Sequence, residues 1–121
     1  MKYVDAHCHI FKEYYDDPKE VVDCDVQILV TGTNLSTNLE MLGLQQDNVD
    51  VAMGAYPIDL LENLDINDAL QQIEENMDNI VAVGEIGMDF YHADKSTMQI
   101  QIDNITQLVN LANKYNKPVV V

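Results

Sequence analysis

The 121-residue sequence has no arginine, only six lysines and only two cysteines. It also has no run approaching the ~18 consecutive apolar residues of a membrane span. Each shortage removes a class of function. Without Arg the chain lacks the bidentate fork that usually grips phosphates and base edges. Against the six lysines stand 21 acidic residues, a formal charge of −15. Repulsion therefore rules out a DNA- or RNA-binding module working through its own basic surface. Any phosphate chemistry here must take its positive charge from bound metal ions. Cys8 and Cys24 form no CxxC and cannot build a disulfide framework. No apolar leader precedes Asp5, His7 and His9. The expectation is a soluble cytoplasmic protein with no membrane partner.

What is present is enough for a core: 47% of the residues are hydrophobic, which sets the chain apart from acidic disordered sequences. No linker or composition shift marks a second domain, so residues 1–121 read as one domain. Short apolar runs alternate with helical patterns. Tyr3–His9, Val26–Val30, Val49–Ala55 and Ile80–Gly84 read as strands, and Val119–Val121 opens a fifth. Asp16-Asp17-Pro18 signals a helix start, and Thr37 with Glu40 has capping-box spacing for a helix to about Gln46. Asp65 caps a helix with Ile66, Ala69, Leu70, Ile73 and Met77 on one face. Met98, Ile102, Ile105, Val109 and Ala112 form the stripe of the longest helix, Ser96 to Tyr115.

Strand–helix alternation of this kind predicts an α/β fold, a parallel sheet covered by helices. Four βα units plus a fifth strand match the first half of a TIM-type (β/α)₈ barrel, which takes about 250 residues when whole. An open doubly wound sheet is the alternative. No GxGxxG or GxxxxGK[ST] follows a strand, so nothing nominates a nucleotide.

Two segments carry chemistry. In Asp5-Ala6-His7-Cys8-His9, strand alternation puts His7 and His9 on one face, about 7 Å apart at Cα, as half a site for Zn²⁺ or a similar ion. Asp5 shares that face by the same alternation, either orienting a histidine or serving structure. Cys8 points away as a packing residue. A solvated histidine pair is the plainer account of an isolated HxH. In Val83-Gly84-Glu85-Ile86-Gly87-Met88-Asp89, the glycines permit close backbone approach around a carboxylate at the C-terminal end of a strand, where barrel enzymes keep their active sites. Glu85 can join the histidines at a metal or merely cap a loop; Asp89 can orient substrate or pin the loop.

Together with the Thr31-Gly32-Thr33 turn, Gly54-Ala55-Tyr56-Pro57 and Lys117-Pro118-Val119-Val120-Val121, these segments occur in the order seen in TatD-family metal-dependent hydrolases, and the chain resembles that family over essentially its whole length. The resemblance implies an amidohydrolase-like TIM barrel, one or two divalent ions (Zn²⁺, Mg²⁺ or Mn²⁺) and phosphodiester hydrolysis of the deoxyribonuclease kind. It implies that His7 and His9 hold one metal and that Glu85, as ligand and catalytic group, bridges to a second. PHP-type phosphoesterases and other amidohydrolases also open with HxH on strand one, but the Gly-Glu-Ile-Gly-Met-Asp segment favours TatD.

Two departures matter. Where the family often carries a histidine beside the substrate phosphate, this chain has Tyr56, a phenol that can donate one hydrogen bond but carries no positive charge. Asp89 and Tyr56 are thus the candidate substrate contacts, and His92 reads as solvated. In the family a histidine directly after the fifth strand, another on the sixth and an aspartate on the eighth complete the site; none of these falls within the 121 residues, so hydrolysis by this chain alone is expected to be slow or absent. The expected substrate is DNA or a short oligonucleotide, and the expected partner a complementing C-terminal half or a second copy. A non-catalytic pairing module is the remaining alternative.

Overall fold

The computed structural model describes residues 3–121. Four parallel strands form one sheet in chain order: β1 (Tyr3–Cys8), β2 (Val26–Thr31), β3 (Val49–Met53) and β4 (Ala82–Val83). Between and after them come α1 (Pro18–Val22), α2 (Leu35–Leu42), α3 (Pro57–Glu62), α4 (Ile66–Glu75) and α5 (Met98–Lys114), the last entered through a 3₁₀ turn at Lys95–Thr97. Sequential strands lying side by side and parallel, each reached through helical connections, are the half-barrel expected from the sequence.

The local signals act largely as read. Asp17 caps α1 by accepting from the N–H groups of Lys19 and Glu20, with Pro18 in the first turn. Asp65 caps α4 by accepting from Asn67 and Asp68, and α4 buries Ala69 and Ile73. On the strands, Ile28 and Val30 of β2 and Val49, Val51 and Met53 of β3 are buried and join the core with Met41, Ile73, Ile80 and Leu108. Each such side chain contributes about 1.5–3 kcal/mol by leaving water. The alternating positions Gln27, Leu29 and Asp50 are only half-buried, and Gln27 Nε2 donates to Asp50 Oδ2 across the two strands at 3.1 Å.

Several boundaries differ from the sequence reading, each for a local reason. The α2 capping box uses Asn34 and Thr37, because Asn34 accepts the Thr37 N–H at 2.9 Å and Thr37 Oγ1 accepts the Asn34 N–H at 3.0 Å. Glu40 instead accepts the Lys12 N–H. Pro57, four residues after β3 ends, opens α3, a helix the sequence patterns do not announce. β4 is two residues long, and the fifth strand is reduced to one parallel bridge between Val83 and Val119. On α5 the buried face is Gln101, Leu108, Leu111 and Ala112, whereas Met98 and Ile102 remain 45% and 37% exposed. Ile105, Val109 and Ala112 of the expected stripe do pack against the core, so the difference lies at the start of α5, where Gln101, a polar residue, occupies the core position. Among the described residues no helix is long and apolar enough to cross a membrane.

Candidate metal centre

β1 ends in an irregularity that shapes the site. Asp5 registers with Ile28 of β2, but Cys8 registers with Val30, so three steps on β1 match two on β2. The extra residue breaks the strict alternation expected for Asp5, His7 and His9. Asp5 registers with the same face of β2 as Cys8, and its carboxylate accepts the backbone N–H of His7 at 3.2 Å. Asp5 therefore serves the backbone of this turn rather than an imidazole. Cys8 is half-buried, with its thiol against the Leu29 carbonyl, and burial pushes the thiol up to about 11.

His7 and His9 converge with Glu85 from beyond β4. His9 Nε2 lies 3.0 Å and His7 Nε2 3.4 Å from the same Glu85 oxygen, Oε2. The imidazoles meet edge to face with centroids 5.0 Å apart, and the buried Phe11 ring packs against His9 at 5.1 Å. His9 Nδ1 contacts the Thr31 carbonyl at 2.6 Å. A carbonyl only accepts, so Nδ1 carries the hydrogen and the lone pair of a neutral His9 sits on Nε2, aimed at Glu85. Ligand atoms from all three residues lie within 4.8 Å of one another. Lone pairs brought this close need a hydrogen or a cation among them, and two imidazole nitrogens with a carboxylate are a donor set that divalent Zn²⁺, Mn²⁺ or Fe²⁺ accepts. The residues fit a cation. The side chains are 33%, 30% and 23% exposed, open enough for water or substrate to reach the centre.

The backbone around Glu85 is held from three sides. Its N–H donates to the Gly32 carbonyl at 3.1 Å, its carbonyl accepts from Ala55 N–H at 3.1 Å, and the preceding Gly84 N–H donates to Met53 at 2.8 Å. The Gly84–Glu85 peptide is cis. Gly84 has to be glycine: a Cβ there would sit 2.5 Å from the Val120 Cβ. Gly54 faces the same peptide from β3 so closely that a Cβ would overlap Gly84 C and both Glu85 N and O.

Tyr56 and Asp89 line a cavity of about 150 Å³ beside Glu85, together with Ile86, Gly87 and Val121. Tyr56 does not present a free hydroxyl; its O–H donates to Asp89 Oδ2 at 2.7 Å. That bond, reinforced by burial, pushes the phenol up to about 12. Asp89 also accepts the backbone N–H groups of His92 and Tyr91, and its Oδ2 contacts the His92 ring at 2.9 Å. The His92 N–H, the Tyr56 hydroxyl and the His92 ring hold its carboxyl well below the usual carboxylate range. His92 is exposed, yet tied to Asp89 rather than loose in solvent.

Sequence reading missed the residues behind the site. Among the described residues, the buried polar side chains are Thr31, Asn38 and Gln101. Gln101 accepts the Asp89 N–H at 2.7 Å and donates to the Asp89 carbonyl at 2.9 Å. Asn38 grips Gly54 in the same two-handed way, accepting its N–H at 3.1 Å and donating to its carbonyl at 2.9 Å. The available signal was an amide inside an apolar stripe: Leu35, Asn38 and Met41 on α2, and Gln101, Ile105 and Leu108 on α5.

Comparison with known proteins agrees with this architecture. A family model described as TatD related DNase matches residues 4–121. A protein of Methanocaldococcus jannaschii named as an uncharacterized metal-dependent hydrolase is 33% identical over 128 residues, covering 100% of this chain and 50% of its own length. YcfH of Escherichia coli K12, named in the same terms, is 29% identical over 132 residues, covering 100% and 49%. The crystal structure of YJJV, a TatD homolog from Escherichia coli K12, superposes with a TM-score of 0.78 at 28% identity, covering 97% of this chain and 49% of that one. A TatD-family hydrolase structure from Entamoeba histolytica shares the fold, with a TM-score of 0.69 at 20% identity. The chain spans about half the length of the curated relatives it matches.

Proposed function

The chain belongs to the TatD related DNase family, and on that premise we propose that it carries part of the active site of a metal-dependent phosphodiesterase acting on DNA or short oligonucleotides. The observation that carries this reading is the convergence of His7, His9 and Glu85 within 4.8 Å at the C-terminal end of a parallel sheet. Nε2 of each histidine and the Glu85 carboxylate would hold a divalent ion. Nitrogen donors favour Zn²⁺ or Mn²⁺ over Mg²⁺, which prefers oxygen. When bound, such an ion lowers the pKa of water and neutralises charge on a phosphoryl group.

The chain's own residues do the positioning. The Thr31 carbonyl keeps the His9 lone pair on Nε2, and the Gly32 and Ala55 peptide groups hold the Glu85 backbone. The scissile group would sit in the cavity between Glu85 and the Tyr56–Asp89 pair. With its one proton engaged by Asp89, Tyr56 forms the cavity wall rather than a phosphate donor. A charge of −15 without Arg favours short substrates over long duplexes, which need an extended basic track. On β1, at one edge of the sheet, Tyr3 and Val4 are each 67% exposed, which supports the reading that a complementing partner pairs with this edge. Two unpaired cysteines support a reducing, cytoplasmic setting.

The test is metal uptake. Equilibrium dialysis should show a divalent ion bound by the parent and lost in the His7→Ala/His9→Ala double variant. Unchanged uptake by that variant would sink the assignment.

A further inference from the structure

The residues that hold the ligands are themselves held by one buried side chain. Asn38 is fully buried in the middle of α2. Its amide clamps both backbone groups of Gly54. It also lies against Gly32 so closely that a Cβ at position 32 would overlap its side chain and backbone. Gly32 and Ala55, neighbours of these two contacts, are the residues whose backbone groups bind the Glu85 N–H and carbonyl. Thr31, immediately before Gly32, supplies the carbonyl that orients His9. Asn38 is fixed in turn by Gln72 of α4, whose Oε1 accepts from Asn38 Nδ2 at 2.9 Å while its Nε2 donates to the Leu35 carbonyl at 2.9 Å.

We propose that Asn38 is a positioning residue for the His7/His9/Glu85 centre: it registers the β2 and β3 loops against each other, and through them sets the distance between the Glu85 carboxylate and the two imidazoles. The inference rests on the metal-site reading above. A purely structural account is that Asn38 only satisfies polar groups in the core. Its connections argue otherwise. Each of its contacts with β2 and β3 falls at the C-terminal ends of those strands, on residues one step from a group that binds Glu85 or His9. Groups bonded directly to metal ligands change metal affinity about 10- to 100-fold when removed, and Asn38 holds the residues that supply those groups.

The experiment compares the full chain with Asn38→Leu and with Met41→Ala, a large-to-small change at a fully buried position one turn further along α2. Two readouts are taken: Co²⁺ titration followed by its visible absorption, and hydrogen exchange of backbone amides in metal-free protein. Asn38→Leu should bind Co²⁺ about 10- to 100-fold more weakly with an altered spectrum. Its Gly54, Ala55 and Glu85 amides should exchange faster relative to those of Val30 and Val51. Met41→Ala should lose urea stability yet keep the parental Co²⁺ affinity and spectrum. Gln72→Met, at a half-buried position, weakens the same network without opening the core, and it should lower Co²⁺ affinity in the same direction, by less than Asn38→Leu, even if Asn38→Leu fails to fold. Parental affinity and exchange in the Asn38 and Gln72 variants would overturn the proposal, as would an equal loss of affinity in Met41→Ala. A parent that takes up no Co²⁺ would refute the metal centre itself, while the exchange readout would still decide whether Asn38 holds the Glu85 peptide.

Discussion

Gly54→Ala adds one methyl group where three backbone atoms of Gly84 and Glu85 already stand. None of the three can rotate aside, so the peptide has to retreat by roughly an ångström to restore van der Waals contact. The bonds that hold it, from Gly84 to Met53 at 2.8 Å, from Ala55 to Glu85 at 3.1 Å and from Glu85 to Gly32 at 3.1 Å, cannot all survive that retreat. Net hydrogen bonds contribute about 0.5–1.5 kcal/mol each, so the cost runs from about 0.5 kcal/mol for one lost bond to about 4.5 kcal/mol for all three. The upper figure is a large part of the roughly 5–15 kcal/mol that separates a folded domain from its unfolded chain. The Glu85 carboxylate moves with its peptide, and a displacement of that size spoils the 3.0 and 3.4 Å spacing to His9 and His7. Urea unfolding should show the stability loss, and Co²⁺ titration should show weakened binding. Gly43→Ala is the matched control. Gly43 ends α2 in ordinary helical conformation, and a Cβ there would meet nothing closer than the Glu40 carbonyl at 3.4 Å. It should be neutral or stabilise by about 0.4–1 kcal/mol through the unfolded chain. A Gly54→Ala protein with the parental urea midpoint and Co²⁺ affinity would refute the reasoning.

Two further outcomes concern titrating groups. Because the Cys8 thiol is pushed up to about 11, roughly one molecule in a thousand carries the Cys8 thiolate at pH 8, and iodoacetamide should label exposed Cys24 first; equal labelling of both by peptide mapping would contradict the burial. The folded thiol value lies above its ordinary 9.0, so the stability that Cys8 contributes is complete below pH 9 and is lost as pH rises toward 11. Asp89 has the opposite sign: its folded value lies below its ordinary 3.8, so its contribution is present above that pH and is lost only as pH falls below it. The Tyr91–His92 segment should therefore stay protected from proteolysis down to about pH 4; release between pH 5 and 7 would show that Asp89 does not hold it.

The parallel order of the strands and the candidate ligands were legible in the sequence because both depend on short-range patterns. Apolar runs at Val26–Val30 and Val49–Ala55 are long enough to show their strand character, and Asp17-Pro18 and Asp65 announce their helices within one turn. α3 was missed because Pro57 fits both the end of a strand and the start of a helix. The face of α5 was read correctly at Ile105, Val109 and Ala112 but missed at its start, because hydrophobicity put Met98 and Ile102 inside, whereas the structure buries Gln101 there. A side chain's hydrophobicity does not reveal that a backbone 12 positions away will satisfy it.

By itself the sequence determined four of the strands and most of the helices, that the strands run parallel, and which nitrogen and oxygen donors end them. All of these follow from periodicity, capping and residue chemistry within a few positions. The tertiary structure alone decided that Asp5 leaves the face of His7 and His9, that Tyr56 spends its proton on Asp89, and that Asn38 stands behind Gly54 and Glu85. Those outcomes depend on a one-residue slip in β1 and on contacts between groups 16 or more positions apart. No local pattern encodes them, because each is settled only when separate segments compete for the same donors, acceptors and space.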